Sequence, residues 1–80
     1  MTYKLFDEVV LKNDIPERGL KKGDVATLVD HHPISGGEEG YSLEFFNAVG
    51  ETLVVITVPE SFIEPLTKNE IFSVRSLEAA

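Results

Sequence analysis

Three features of the chain predict an all-β domain. Apolar residues recur mostly with a period of two, their runs are short, and Gly, Pro and Asn punctuate them. At 80 residues there is room for one domain only. A domain of this size buries about 60–65% of its unfolded surface, so its core is thin. Hydrophobic residues make up 42% of the chain, which suits a globular fold and is too rich for a disordered acidic tail.

The first strand centres on Val9-Val10-Leu11 and runs from about Glu8 to Lys12. Asn13 to Gly19 is a polar excursion too long for a tight hairpin, after which Leu20 tucks inward. Lys22-Gly23-Asp24 turns the chain, with Gly23 at positive φ. A second strand covers Asp24 to His31, where Val25, Thr27 and Val29 alternate with Ala26 and Leu28. Pro33 to Gly40 reads as a mobile surface loop. The third strand is Tyr41 to Phe46, and Asn47-Ala48-Val49-Gly50 is a four-residue hairpin connection. The fourth strand covers Glu51 to Val58 and is stopped by Pro59. Glu60-Ser61-Phe62 fits one 3₁₀ turn, and Ile63-Glu64 a short fifth strand ended by Pro65. Beyond it the reading divides: Glu70 to Ser76 suits a strand, whereas Ser76 to Ala80 leans helical.

Five short strands, one long early loop and tight later connections predict a small five-stranded SH3-like barrel. It would occupy residues 1–66, and residues 67–80 would form a C-terminal extension. That extension either packs on the barrel as strand or helix or serves as a partner-binding tail. Closing a sheet removes exposed edges, which helps a domain with so little core.

Charge is uneven. The chain carries 7 basic and 14 acidic residues, a formal net charge of -7. Residues 38–66 hold Glu38, Glu39, Glu44, Glu51, Glu60 and Glu64 and no Lys or Arg. Such a stretch makes no cationic contact with phosphate, on which nucleic-acid affinity rests. Cysteine is absent, which excludes disulfides and thiolate metal sites and fits a reducing, cytoplasmic setting. Acids at Asp7 and Glu8 interrupt any N-terminal apolar run, so no leader peptide is expected. The longest apolar run, Leu53 to Val58, is far too short to span a membrane, and a soluble protein is expected.

Chemistry-bearing residues are few. His31 and His32 are adjacent on a strand and face opposite ways, so they do not readily share a metal; a solvent-exposed strand end is expected. Ser35-Gly36-Gly37 lacks the spaced Gly-Lys-Ser/Thr and following helix of a phosphate cradle and reads as a flexible loop. Glu44, Glu51, Glu60 and Glu64 read as solvated acids, since an acid/base pair needs a desolvated cleft. Arg18, Lys21 and Lys22 form the single nucleic-acid-like patch, without an evident aromatic platform. No cofactor, no metal and no catalytic residue are expected.

The fourth strand is apolar on both faces: Leu53, Val55 and Thr57 on one, Thr52, Val54, Ile56 and Val58 on the other. On the third strand Tyr41, Leu43 and Phe45 share a face, while Phe46 lies on that of Ser42 and Glu44. One apolar stripe therefore needs a cover. The residues assigned to that interface are Phe46, Val54, Ile56 and Val58, with Glu44 and Glu51 beside them. Its cover is the tail, through Ile71, Phe72, Val74 and Leu77, or a second copy, or another protein.

Several blocks in order resemble a known family. They are Leu5-Phe6-Asp7, Ile15-Pro16-Glu17-Arg18-Gly19-Leu20, Lys22-Gly23-Asp24-Val25-Ala26-Thr27, Gly40-Tyr41-Ser42-Leu43-Glu44-Phe45 and Gly50-Glu51-Thr52. The family comprises short bacterial proteins known only as a domain of unknown function. The resemblance covers about residues 3–66 and implies an SH3-like barrel, similar to KOW-type domains and to the barrel of nitrile hydratase beta subunits. It implies no catalytic residue. Ala26 stands where that family usually has Gly, at a place where Gly would serve a close backbone approach or a bulge.

The expected function is therefore that of a non-enzymatic, acidic protein-interaction module, such as a small regulatory, antitoxin-like or immunity-like partner. A protein partner or homo-oligomer is expected; nucleic acid, membrane and metal are not. Two alternatives stay open: a KOW-like nucleic-acid-binding module centred on Arg18, Lys21 and Lys22, and an accessory barrel subunit of a larger enzyme complex.

Overall fold

The computed structural model describes residues 3–33 and 36–77. Five strands form one antiparallel sheet: β1 (Glu8–Leu11), β2 (Val25–His32), β3 (Gly40–Phe46), β4 (Thr52–Pro59) and β5 (Ile63–Pro65). Their order across the sheet is β4-β3-β2-β1-β5, and no α-helix occurs among the described residues. The all-β expectation and each strand's place are met. Closure is not: β4 and β5 lie at opposite edges and are not bonded to each other. The physical reason is length. β5 has three residues, and all three pair with β1, Leu11 facing Ile63 and Val9 facing Pro65.

The apolar period of two builds the core. Val9 and Leu11 on β1, Leu28 on β2, and Tyr41 and Leu43 on β3 are buried, and Ile56 and Val58 on β4 join them. Ala26, where the resembled family has Gly, is buried in a regular ladder position opposite Val9. The ladder irregularity in β2 falls later, between Leu28 and Asp30. A small side chain at Ala26 is accordingly tolerated.

The polar excursion after β1 is a pinned loop. Ile15 and Leu20 exchange backbone hydrogen bonds of 2.8 and 3.1 Å around a 3₁₀ turn, Pro16–Arg18. Pro opens that turn and Gly19, at φ 71°, closes it in the left-handed region that Gly adopts without a Cβ clash. Leu20 is buried, as expected, and Gly23 has φ 96°. A second 3₁₀ turn, Glu60–Phe62, carries the chain from β4 to β5 and accepts a bond from the Lys12 N–H at the Phe62 carbonyl.

Among the described residues one non-glycine takes positive φ: Phe6, at 72°. It sits in the turn Lys4–Asp7, held by Asp7 N–H to Lys4 carbonyl (3.1 Å) and Phe6 N–H to Leu28 carbonyl (2.6 Å). Of the readings of the tail, strand and helix are not met. Residues 66–77 adopt neither strand nor helix, and the expected helical end falls partly on residues 78–80, outside those described. Ile71 and Val74 are 93% and 100% exposed, so these apolar residues cover nothing. The tail is attached instead by Leu77, packed against the core, and by Arg75.

Candidate functional site

The register of β3 with β4 decides which apolar stripe faces outward. Tyr41, Leu43 and Phe45 pair with Val58, Ile56 and Val54; Ser42 and Glu44 pair with Thr57 and Val55. Side chains of directly paired residues share a face. Ile56 and Val58 are thus core residues, and Val54 is packed against the core. This corrects the assignment of Val54, Ile56 and Val58 to an interface. The open stripe is the other one: Phe46, Leu53 and Val55, at 44%, 46% and 51% exposure. Phe46 and Glu44 do lie on that outer face. A shift of register at Phe45/Phe46 leaves Leu53 as the extra residue of a bulge.

Acids rim this face. The Thr52 hydroxyl donates to Glu44, and Asn47 donates to Glu51 Oε1 at 2.8 Å in the β3–β4 connection. Glu38 accepts the Ser61 backbone N–H at 2.7 Å, which holds its carboxyl below the usual glutamate value. Beyond the outer margin of β4 lies the Pro16–Arg18 turn. Ile15, Glu17 and Arg18 face Val55, Ile56 and Thr57 across an open groove of about 370 Å³. A wider cleft, of about 830 Å³, separates the tail from Phe46, Leu53 and Val54, so the tail does not close over the stripe.

Around Tyr41 lies a second cluster. His31 stacks on its ring at 5.2 Å between centroids, and Tyr3 meets it edge-on at 5.5 Å. The Tyr41 hydroxyl donates to Glu39 Oε2 at 3.0 Å. Burial, that bond and the nearby Glu60 charge push the phenol up to about 12. The bond from Tyr41 also holds the Glu39 carboxyl below its ordinary value. His31 Nε2 lies 3.2 Å from Glu39 Oε1 without the alignment of a hydrogen bond. His32 points the other way, 2.8 Å from the Ser42 hydroxyl. The two rings therefore serve opposite faces, as their adjacency on a strand requires. Among the described residues no group of three His, Asp or Glu is arranged to hold a metal.

Arg18, Lys21 and Lys22 are all exposed. Arg18 lines the groove beside β4 and Lys21 and Lys22 line the wider cleft, their backbone N–H groups donating to Asp24 and Asp14. Asp24 is itself held by Arg75, whose Nε donates to Oδ1 at 2.8 Å and whose Nη2 also reaches the Gly19 carbonyl at 3.0 Å. Partial burial pushes the Asp24 carboxyl up, but the hydrogen bonds from Arg75 and Lys21 and their charges outweigh it and leave it below the ordinary value. Ser35 lies outside the described residues; Gly36 next to it has φ 76°. No helix among the described residues is long and apolar enough to cross a membrane.

Fold and site together define a small single-sheet β domain, open at its edges, with an acidic and partly apolar outer face along β3 and β4. The chain belongs to the family described as Domain of unknown function (DUF4926), whose family model matches residues 5–65. Neither a curated protein nor a solved structure matches it significantly.

Proposed function

We propose that this chain is a non-enzymatic, SH3-like protein-interaction module that binds a basic surface on a partner protein in the cytoplasm. The observation that carries the reading is the coincidence of two features on one face. Phe46, Leu53 and Val55 are about half exposed, and Glu44 and Glu51 stand beside them in a stretch, residues 38–66, that holds six acids and no Lys or Arg. An apolar patch with an acidic rim suits a partner carrying Lys and Arg, since complementary potential speeds encounter and apolar burial holds the complex. The strand order, a four-strand meander with the last strand returning beside the first, supports an SH3-like reading of the sheet.

The non-catalytic part of the reading rests on how the perturbed groups are used. Tyr41, Glu38, Glu39 and Asp24 are engaged in hydrogen bonds that tie loops to strands or to the tail. The partner role is that of a small regulatory or neutralising subunit, of the kind an antitoxin or immunity protein plays. Affinity capture with the full chain from lysate of the source cells tests it. A basic protein retained at low salt and released near 0.5 M NaCl is the expected result; no protein recovered above the bare-resin control would overturn it.

A further inference from the structure

The two edges of the sheet are built differently. β5 has three residues, carries Glu64 and ends in Pro65, which has no N–H to offer. Short, charged and proline-bearing edges are closed to pairing. β4 runs for eight residues, Thr52–Pro59, with no charge among them and Pro only at the last.

Its outer side is unoccupied in a definable way. The Glu60 N–H donates to the Glu39 carbonyl at 2.8 Å, which fixes the alternation of the ladder. Val54, Ile56 and Val58 therefore share their hydrogen bonds with β3, and Val55 and Thr57 direct N–H and C=O away from it. No described residue bonds to those outward groups. An open groove separates them from Glu17 and Arg18.

The geometry points to the β4 edge as the place where an extended segment of the partner adds as a sixth strand, an apolar stretch flanked by Lys or Arg on both sides. The inference rests on the interaction-module reading and adds its mode. Charge selects the occupant. Glu51 precedes β4, Glu60 follows it, and Glu44 stands opposite Val55. If two copies paired antiparallel through β4, Glu51 of each would approach the Glu60 end of the other, and like charges across strands repel. A segment with basic ends meets opposite charge at both, while its apolar side chains extend the shelf of Leu53 and Val55.

The test uses the full chain, labelled with ¹⁵N. The probe is a synthetic peptide of alternating Thr and Val with two lysines at each end. The same peptide with glutamates in place of lysines is the control. The lysine peptide is expected to shift the Val55 and Thr57 amide resonances and slow their hydrogen exchange at least tenfold; the glutamate peptide leaves both unchanged. Thr57→Pro removes an outward N–H and is expected to weaken binding at least tenfold. Should that variant fail to fold, Val55→Lys places a like charge at an exposed position with the same expected effect.

No shift at 1 mM lysine peptide, shifts mapping elsewhere, equal response to both peptides, or a chain that pairs with itself through β4 in sedimentation would each overturn the inference. A natural partner captured equally well by wild type and Thr57→Pro would remove the edge mode and leave the interaction module standing. Absence of any captured partner would instead remove the module itself.

Discussion

Phe6 is where the backbone is least comfortable. An aromatic residue at φ 72° pays a steric penalty of about 1 kcal/mol that Gly avoids, and 72% of Phe6 remains exposed, so packing returns little. Phe6→Gly relieves that penalty and loses part of the gain to greater chain entropy in the unfolded state. The expected net is a stabilisation of about 0.5 kcal/mol, or a rise in Tm of about 2–4 °C by calorimetry. An unchanged or lowered Tm would mean that the ring makes a contact worth as much as the strain. Residue scale is also where the sequence was most legible in one respect and least in another. Gly19 and Gly23 at their turns, Leu20 turned inward and the opposed histidines all follow from local chemistry. Phe6 does not, because nothing in Leu5-Phe6-Asp7 marks a left-handed residue.

Among the elements, strands and the 3₁₀ turn at Glu60–Phe62 were readable because Pro59, Pro65, Gly40 and Gly50 bracket them. The phase of β4 was not. Its two faces are Leu53 and Val55 against Val54, Ile56 and Val58, and hydrophobicity does not rank one above the other. The register with Tyr41, Leu43 and Phe45 settles it, and that register depends on a bulge at Leu53 that no residue type announces. The tail misled in the same way: Ile71, Phe72 and Val74 read as a packing stripe, yet the attachment comes from Arg75 and Leu77. Arg75→Ala is therefore expected to speed hydrogen exchange around Leu77 while leaving the strand amides protected. The loss of this largely surface ion pair should cost about 0.5–1 kcal/mol in urea unfolding. Unchanged exchange at Leu77 would show that its apolar contact alone holds the tail.

For the whole molecule, pH sets the limits of stability from both sides. Tyrosine in the unfolded chain ionises near 10, and Tyr41 in the fold near 12. Between those values the unfolded state loses its proton first, so stability is full below about pH 10 and falls as pH rises toward 12. The carboxyls of Asp24, Glu38 and Glu39 lie below their ordinary values, so their contribution is present above about pH 4 and is lost as acid protonates them. Urea midpoints measured across pH should form a plateau with a fall at each end. Tyr41→Phe should flatten the alkaline fall; an equally steep one would assign it to another group. The open sheet belongs to this scale too. Five strands were foreseen from their punctuation, but whether the first and last edges meet depends on how many residues β5 spares for pairing, a global property that no local pattern encodes.

The inequality of the two edges also fixes a direction. A sheet open on both sides propagates, each added strand presenting a fresh edge until a ribbon forms. Here one side is terminated by a three-residue strand ending in Pro65, and only the β4 side is left to extend. Any strand that joins this sheet therefore joins on the β4 side, and the sheet grows in one direction only.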